Sequence, residues 1–298
     1  MDLFSGFSSL KFLFTSDFPA GNQLAGNYTI IQLCIMLLFG ILEFYVPNAG
    51  VRKKSVDYLN NLKVYLFNFL WVPVAGLIFA GFFVPISAKL GVGFIDLSFM
   101  GAYGLPGIVL QFLLSFLVFD FFYYWMHRLT HVNVWLWQQH KVHHLDRSVS
   151  SMFRDNFLEP VFEWIAITIP MSILFKFSPL NAYIFSLTAG TLIVWIHFNA
   201  KVRLGWANRL IASPQFHRIH HSTDPVKFMS NYATYFPIWD IVFGTYTHPE
   251  ANEFPETGVE DQPDIYSLGS AQAYPFKRWA KMLRVVFSDE KFNKNNYW

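Results

Sequence analysis

One cysteine, Cys34, stands in 298 residues. It lies in an apolar run, so the chain has no internal disulfide and no multi-cysteine zinc or iron–sulfur site. Any first coordination shell must be nitrogen and oxygen. Charge is scarce as well: Asp, Glu, Lys and Arg make up 14% of the chain, against about 25% in an ordinary soluble domain. The formal net charge is only +2, and the basic residues are scattered around apolar runs, which excludes a nucleic-acid face. Residues 1–23 lack the charged start, long apolar core and small-residue cleavage pattern of a secretory signal and are expected to remain in the mature protein. No repeat and no low-complexity segment interrupts the chain, which reads as one integrated unit.

What is abundant is apolar surface. At 53% hydrophobic and 19% aromatic residues, the chain is expected to sit in a membrane. A spanning helix needs ~20 apolar residues, and residues 28–46, 64–86 and 106–126 each supply such a run. Arg52, Lys53, Lys54 and Lys63 against Asp57 place the first connection in the cytoplasm. Residues 157–175 and 181–196, joined by a tight turn at 176–180, predict a helical hairpin that crosses and returns. The Gly-Val-Gly of 91–93 lacks the third glycine and flanking strand of a dinucleotide loop and reads as a turn. From 198 onward no run is long enough to span, which predicts a cytoplasmic cap. Phe276, Trp279, Ala280, Leu283 and Phe287 recur at helical spacing beside Lys277, Arg278, Lys281 and Arg284, the pattern of a helix lying in the headgroup layer. The expected fold is an all-α integral membrane bundle of about five embedded helices, three spans plus the hairpin, with a cytoplasmic histidine-rich metal-binding cap. Its expected parts are an N-terminal membrane region at 1–105, a catalytic region at 106–248 and a tail at 249–298.

The stretch around which the rest is arranged is 127–144, HRLTHVNVWLWQQHKVHH. His127 and His131 stand four apart, and His140, His143 and His144 stand at i, i+3 and i+4, so each set projects from one helix face. His217, His220 and His221 repeat the second set. His197, at the end of the hairpin, returns to the same side of the membrane. Neutral imidazole is the commonest nitrogen ligand for Zn, Cu, Fe and Ni, and this many imidazoles without a cation would strand many buried nitrogens. The nine exceed what one tetrahedral zinc requires and suit two ions. HRLTH lacks the glutamate that a zinc peptidase uses as general base in HExxH. His248 reads as an ordinary residue outside the set. Asp120 rides on the stripe of His127 and His131 inside an apolar segment, where an acid is functional by default; its expected role is to accept an imidazole N–H and fix the tautomer, with an interhelical hydrogen bond as the alternative. Asn156, Glu159 and Glu163 share one side at the start of the hairpin and are available as outer partners of the ligands, or as solvated acids at a helix start.

Two redox metals beside a bilayer suggest oxygen chemistry on lipids, because two irons can each give one electron to dioxygen. A metal-carrying protein or transporter for zinc or iron, without redox chemistry, is the alternative. Transport needs ligands along a path through the bilayer, and these cluster at one face.

HRLTH, HKVHH and HRIHH, with spans between them and followed by NYATYFPIWDIVFGTY, resemble the fatty acid hydroxylase superfamily, also called the sterol desaturase family, over about 115–247. That resemblance implies a membrane-embedded enzyme with two iron ions, although zinc is possible in an isolated preparation. It also implies dioxygen as co-substrate and hydroxylation or desaturation of a C–H bond in a fatty acyl, sterol or related lipid. It makes His127, His131, His140, His143, His144, His217, His220 and His221 ligands, with His197 a ninth. Asn231 and Asp240 fall in its trailing segment, in structural or ligand-orienting roles. No fused haem or flavin domain is seen, so electrons are expected from a separate protein such as a reductase, ferredoxin or small haem carrier. The metal site is expected on the cytoplasmic side of a bacterial inner membrane or the endoplasmic reticulum.

Overall fold

The computed structural model describes residues 19–46, 48–49, 55–146, 149–150, 155–176, 179–259 and 267–288. The basic residues Arg52, Lys53 and Lys54 lie outside them. The first two helices begin before the apolar windows, in more polar residues: α1 spans Pro19–Leu42 and α2 spans Ser55–Leu90, 36 residues that run unbroken through Pro73. α1 stops four residues before the expected end. There the buried Glu43 accepts hydrogen bonds from the Tyr58 hydroxyl at 2.7 Å and the Asn199 amide at 3.0 Å, tying the end of α1 to the start of α2. α3, Gly104–Val132, continues from the apolar run straight through His127 and His131, as its sequence predicts. Among the described residues, two helices are long and apolar enough to cross a membrane, one through Tyr58–Phe83 and one through Ser98–Val132. Their apolar side chains face outward: Leu70, Phe82 and Leu105 are each about 70% exposed (69%, 73% and 72%).

The hairpin runs alongside α3. Its first arm is α5, Glu159–Glu163, then a π-helical turn at Trp164–Thr168, then α6, Ile169–Leu174. The π turn was not legible in the sequence; Pro170, which has no N–H to give, lies directly after it. The tip meets the Gly91–Gly93 turn, where the Gly93 amide donates to Ile173 O at 2.8 Å and Ile95 bridges to Phe175. Gly93 has φ +87° and a Cβ there would lie 2.9 Å from Lys176 Cγ, so this turn needs glycine twice over. The second arm, α7 at Pro179–Ile196, returns to His197. Between α3 and the two arms sits an aromatic core: the Phe116 ring lies 4.9 Å from Phe185 and 4.8 Å from Tyr235, and Phe119 lies 4.9 Å from Phe185. Such pairs add about 0.5–1.5 kcal/mol each beyond their burial.

At one end of the bundle the chain forms short helices around the histidines: α4 at Val134–His144, α8 at Pro214–His220, α9 at Pro225–Phe228 and α10 at Ile238–Phe243. α11, Leu268–Val286, packs on α4 and α2. Among the described residues there is no strand, only two isolated bridges. α1 and α7 touch closely at Gly190, where a Cβ would fall 2.7–2.9 Å from the Gln32 carboxamide, itself bonded to Leu187 O at 3.0 Å. Gly190→Val is therefore expected to expel Gln32 and lower stability by about 2 kcal/mol or more. Denaturant unfolding in detergent micelles checks this, and an unchanged midpoint would refute the close contact.

Candidate metal centre

Three local devices aim the imidazoles. Asn133, with φ −103° and ψ 113°, breaks α3 from α4, and its side chain caps α4 by accepting from the Trp135 and Leu136 amides at 3.0 and 3.2 Å. The chain thus turns between the first and second histidine sets, and both face inward. Ser213 caps α8 in the same manner, accepting from the Phe216 amide at 3.1 Å, with Pro214 at the first turn. The end of α7 delivers His197.

All nine predicted histidines are buried and gather into two adjoining groups. One holds His127, His131, His140, His144 and His220; the other holds His143, His197, His217 and His221. Within each group the candidate ligand nitrogens all lie within 4.8 Å of one another. The groups touch through His144 and His221, whose rings stack at 4.1 Å. His248 is exposed and bonds to the Tyr246 hydroxyl at 2.9 Å, outside both.

The outer ring nitrogens fix the tautomers. His127 Nδ1 lies 2.7 Å from Tyr232 O, His220 Nδ1 2.8 Å from Ser230 O and His197 Nδ1 2.8 Å from Ile193 O. A carbonyl only accepts, so these nitrogens carry the proton and Nε2 carries a lone pair. His143 Nδ1 lies 2.8 Å from Asp155 Oδ1, and His140 Nδ1 lies 3.3 Å from Glu159 Oε1. Across the centre, His127 Nε2 faces His140 Nε2 at 3.1 Å, and His197 Nε2 faces both His143 Nε2 and His217 Nε2 at 3.0 Å. Two neutral imidazoles so oriented aim lone pair at lone pair. A shared cation makes that contact favourable. Burial, and then neighbouring imidazoles, push His144, His217, His220 and His221 well below the ordinary histidine range, as burial does for His140. The rings are therefore neutral and ready as donors near pH 7. Both nitrogens of His131 and His144, and Nε2 of His220, are buried without a hydrogen-bond partner, each costing about 1–3 kcal/mol if left so. The donor set therefore fits metal ions.

The expected orienting residues divide. Glu159 stands beside His140 and also accepts from the Gln139 carboxamide. Asp120 does not meet an imidazole: its carboxylate accepts the Tyr235 and Phe236 amides at 3.2 and 2.7 Å, pinning the 231–247 segment to α3. Two convergent backbone N–H groups outbid a histidine ring for it. Asp240 accepts the Tyr232 and Ala233 amides and the Thr245 hydroxyl, at 2.9, 2.8 and 2.6 Å. Burial lifts its carboxyl to about 6, and those bonds limit the rise. Asn231, at φ +58°, donates to Phe216 O and Thr247 O at 3.1 and 3.0 Å. Both therefore act on the centre indirectly, by holding the carbonyls of Ser230 and Tyr232 in place. Asn156 faces away, bonding Ala271 O and Gln272 O of α11. Asp155 was missed: it lies in the irregular segment before α5, where helical spacing gives no signal.

A family model of fatty acid hydroxylases matches residues 112–245, which contain all nine histidines. Over this region the chain is similar to the fatty acid hydroxylase and sterol desaturase superfamily. Alkylglycerol monooxygenase of Xenopus tropicalis is 35% identical over 194 residues, 58% of this chain and 41% of that protein. The human alkylglycerol monooxygenase is 35% identical over 136 residues, 44% and 29% of the two chains. Ornithine lipid hydroxylase of Rhizobium tropici is 28% identical over 173 residues, 56% and 51%. The chain thus spans about half the length of these curated relatives or less. No solved structure matches it.

Asp240→Ala strips the acceptor from two buried amides and is expected to cost about 3 kcal/mol. By loosening the carbonyls that orient His127 and His220, it is also expected to weaken metal retention ~10–100-fold. Chelator competition measures this; unchanged retention would separate the 230–232 carbonyls from the centre.

Proposed function

We propose that this chain is an oxygen-dependent membrane lipid oxidoreductase that hydroxylates or desaturates a C–H bond, with two irons held by the nine histidines. In this reading His127, His131, His140, His144 and His220 hold one ion, and His143, His197, His217 and His221 hold the other. The observation that carries it is the facing of Nε2 lone pairs at 3.0–3.1 Å. Five nitrogens in one group exceed zinc's usual four, and iron would accept that larger set.

Bound iron would supply the stepwise electron transfer to dioxygen that oxidation of an unactivated C–H bond requires. The chain's own residues do the rest. Tyr232, Ser230 and Ile193 carbonyls and the Asp155 and Glu159 carboxylates engage the outer nitrogens of His127, His220, His197, His143 and His140, so the inner nitrogens of these five stay aimed at the ions. Trp137 and Phe228, whose rings lie 5.2 and 4.8 Å from His131, close the aqueous side. The aromatic core between α3 and the hairpin faces the other side and suits an alkyl chain. Electrons come from a separate donor protein. The relatives' names carry alkylglycerols, ornithine lipids and sterols, all amphiphiles that a laterally entered, bilayer-side centre accommodates.

In the same reading α1, α2, α3 and the two hairpin arms are the embedded elements, 106–248 is the catalytic region, and the histidine end faces the cytoplasm. α11 then lies in the headgroup layer. Its exposed Phe276, Leu283 and Phe287 form one stripe, and Phe276 stacks at 5.8 Å on Phe157, which packs on Trp71 of α2. A spin label at Leu283→Cys in a Cys34→Ser background should be relaxed by oxygen in preference to a water-soluble nickel chelate; the reverse order would lift α11 off the membrane.

Reconstituted in lipid nanodiscs, the protein is expected to bind about two irons, and His131→Ala and His217→Ala each to lose about one and at least ~100-fold of lipid oxidation. Mass spectrometry of sterols, acyl lipids and ether lipids after aerobic incubation with a reductase system reads the activity. An iron-loaded protein that oxidises none of them would sink the reading.

A further inference from the structure

Tyr123 and Glu163 are a polar pair in an apolar wall, and the metal centre makes no use of them. Glu163 lies one turn beyond Glu159 on α5, and Tyr123 one turn before His127 on α3, so both stand on the membrane side of the first histidine group. The Tyr123 hydroxyl donates to Glu163 Oε1 at 3.3 Å. Around them are Phe119 and Tyr235, with rings 6.1 and 6.0 Å from that of Tyr123, and the His127 ring at 6.3 Å. Unlike the buried Glu159, both members of the pair keep part of their surface open. The π turn at 164–168 begins at the very next residue, and such turns occur frequently at functional sites because they re-aim the side chains of a helix. A carboxylate has about four acceptor positions, and the phenol fills one. An acid left in that state within an apolar wall is costly, and its presence points to a partner that is itself delivered by the reaction.

We propose that the Tyr123–Glu163 pair receives a hydroxyl group of the substrate's headgroup, and so selects lipids whose reacting carbon lies only a few bonds from a hydroxyl-bearing carbon. This deepens the oxygenase reading and rests on it. A hydroxyl can hydrogen-bond to the open carboxyl positions, whereas a bare hydrocarbon has no group to pair with them. One helical turn, ~5.4 Å, separates the pair from the His127 and Glu159 level, a distance that about four bonds of an extended chain cover. The pair therefore holds the polar end while the neighbouring carbons reach the centre. Its action is on specificity, since Glu163 contacts no ligand ring.

The test compares a long-chain monoalkyl glycerol with the same molecule carrying both hydroxyls as methyl ethers, in the full-length iron-loaded protein. Wild type is expected to favour the free glycerol about tenfold or more in kcat/KM. Glu163→Gln and Tyr123→Phe are expected to remove most of that preference through KM, leaving turnover of the capped ether within about twofold; Glu163→Asp should recover part of it. Equal use of the two lipids by wild type, or equal damage to both by Glu163→Gln, would overturn the assignment. Ligand-induced thermal shift reads the same preference without turnover. A protein that binds the free glycerol preferentially, loses that preference in Glu163→Gln and oxidises neither lipid would leave the headgroup contact standing and remove the oxygenase reading instead.

Discussion

Imidazoles that face one another through unprotonated nitrogens, in a space emptied of water, are the constraint on which this fold depends. The outer nitrogens of His127, His197 and His220 are committed to carbonyls and those of His140 and His143 to carboxylates, so the inner nitrogens of these five have no proton to share. Without positive charge between them, the groups would repel and the short helices at that end would have little reason to converge. The aromatic core between α3 and the hairpin stabilises the bundle by burial, but it specifies no particular angle at the histidine end. The lone pairs do. In the proposed reading, metal binding and folding would be coupled at this end as in small metal-dependent domains, where binding free energy is folding free energy.

The 230–247 segment shows how an irregular stretch is made as rigid as a helix. Asp120 holds it from α3, Asp240 holds its own turn, and Asn231 clamps it to α8 in a left-handed conformation. Three side chains thereby fix two carbonyl oxygens, and those carbonyls fix two imidazoles. The acidic residues that look like ligand partners by position are instead the frame behind the partners. Polar groups so placed are satisfied in full, which is what allows them to exist beside an apolar core.

Much of this was legible in the residues. Spacing alone brought His127 with His131 and His140 with His143 and His144, because a helix turns i, i+3 and i+4 into one face, and α3 and α4 obey it. The hairpin and the return of His197 followed from run lengths. What spacing cannot carry is which carboxylate meets which ring: Asp120 shares the stripe of His127 yet points to backbone amides from a segment 115 residues away. Carbonyl acceptors such as Ser230 O and Tyr232 O leave no trace in side-chain identity. The π turn before Pro170 is likewise a backbone event, and Asp155 sits in non-helical chain where residue spacing says nothing of which way a side chain faces.

α8 supplies His220 to one group and His217 and His221 to the other. Neither group is complete until that short helix arrives, and it is encoded after every other ligand in the chain. If the chain is membrane-embedded and holds two ions as proposed, the earlier helices would enter the bilayer with their imidazoles unpaired, and metal loading would follow insertion, with both ions trapped by a single late docking event.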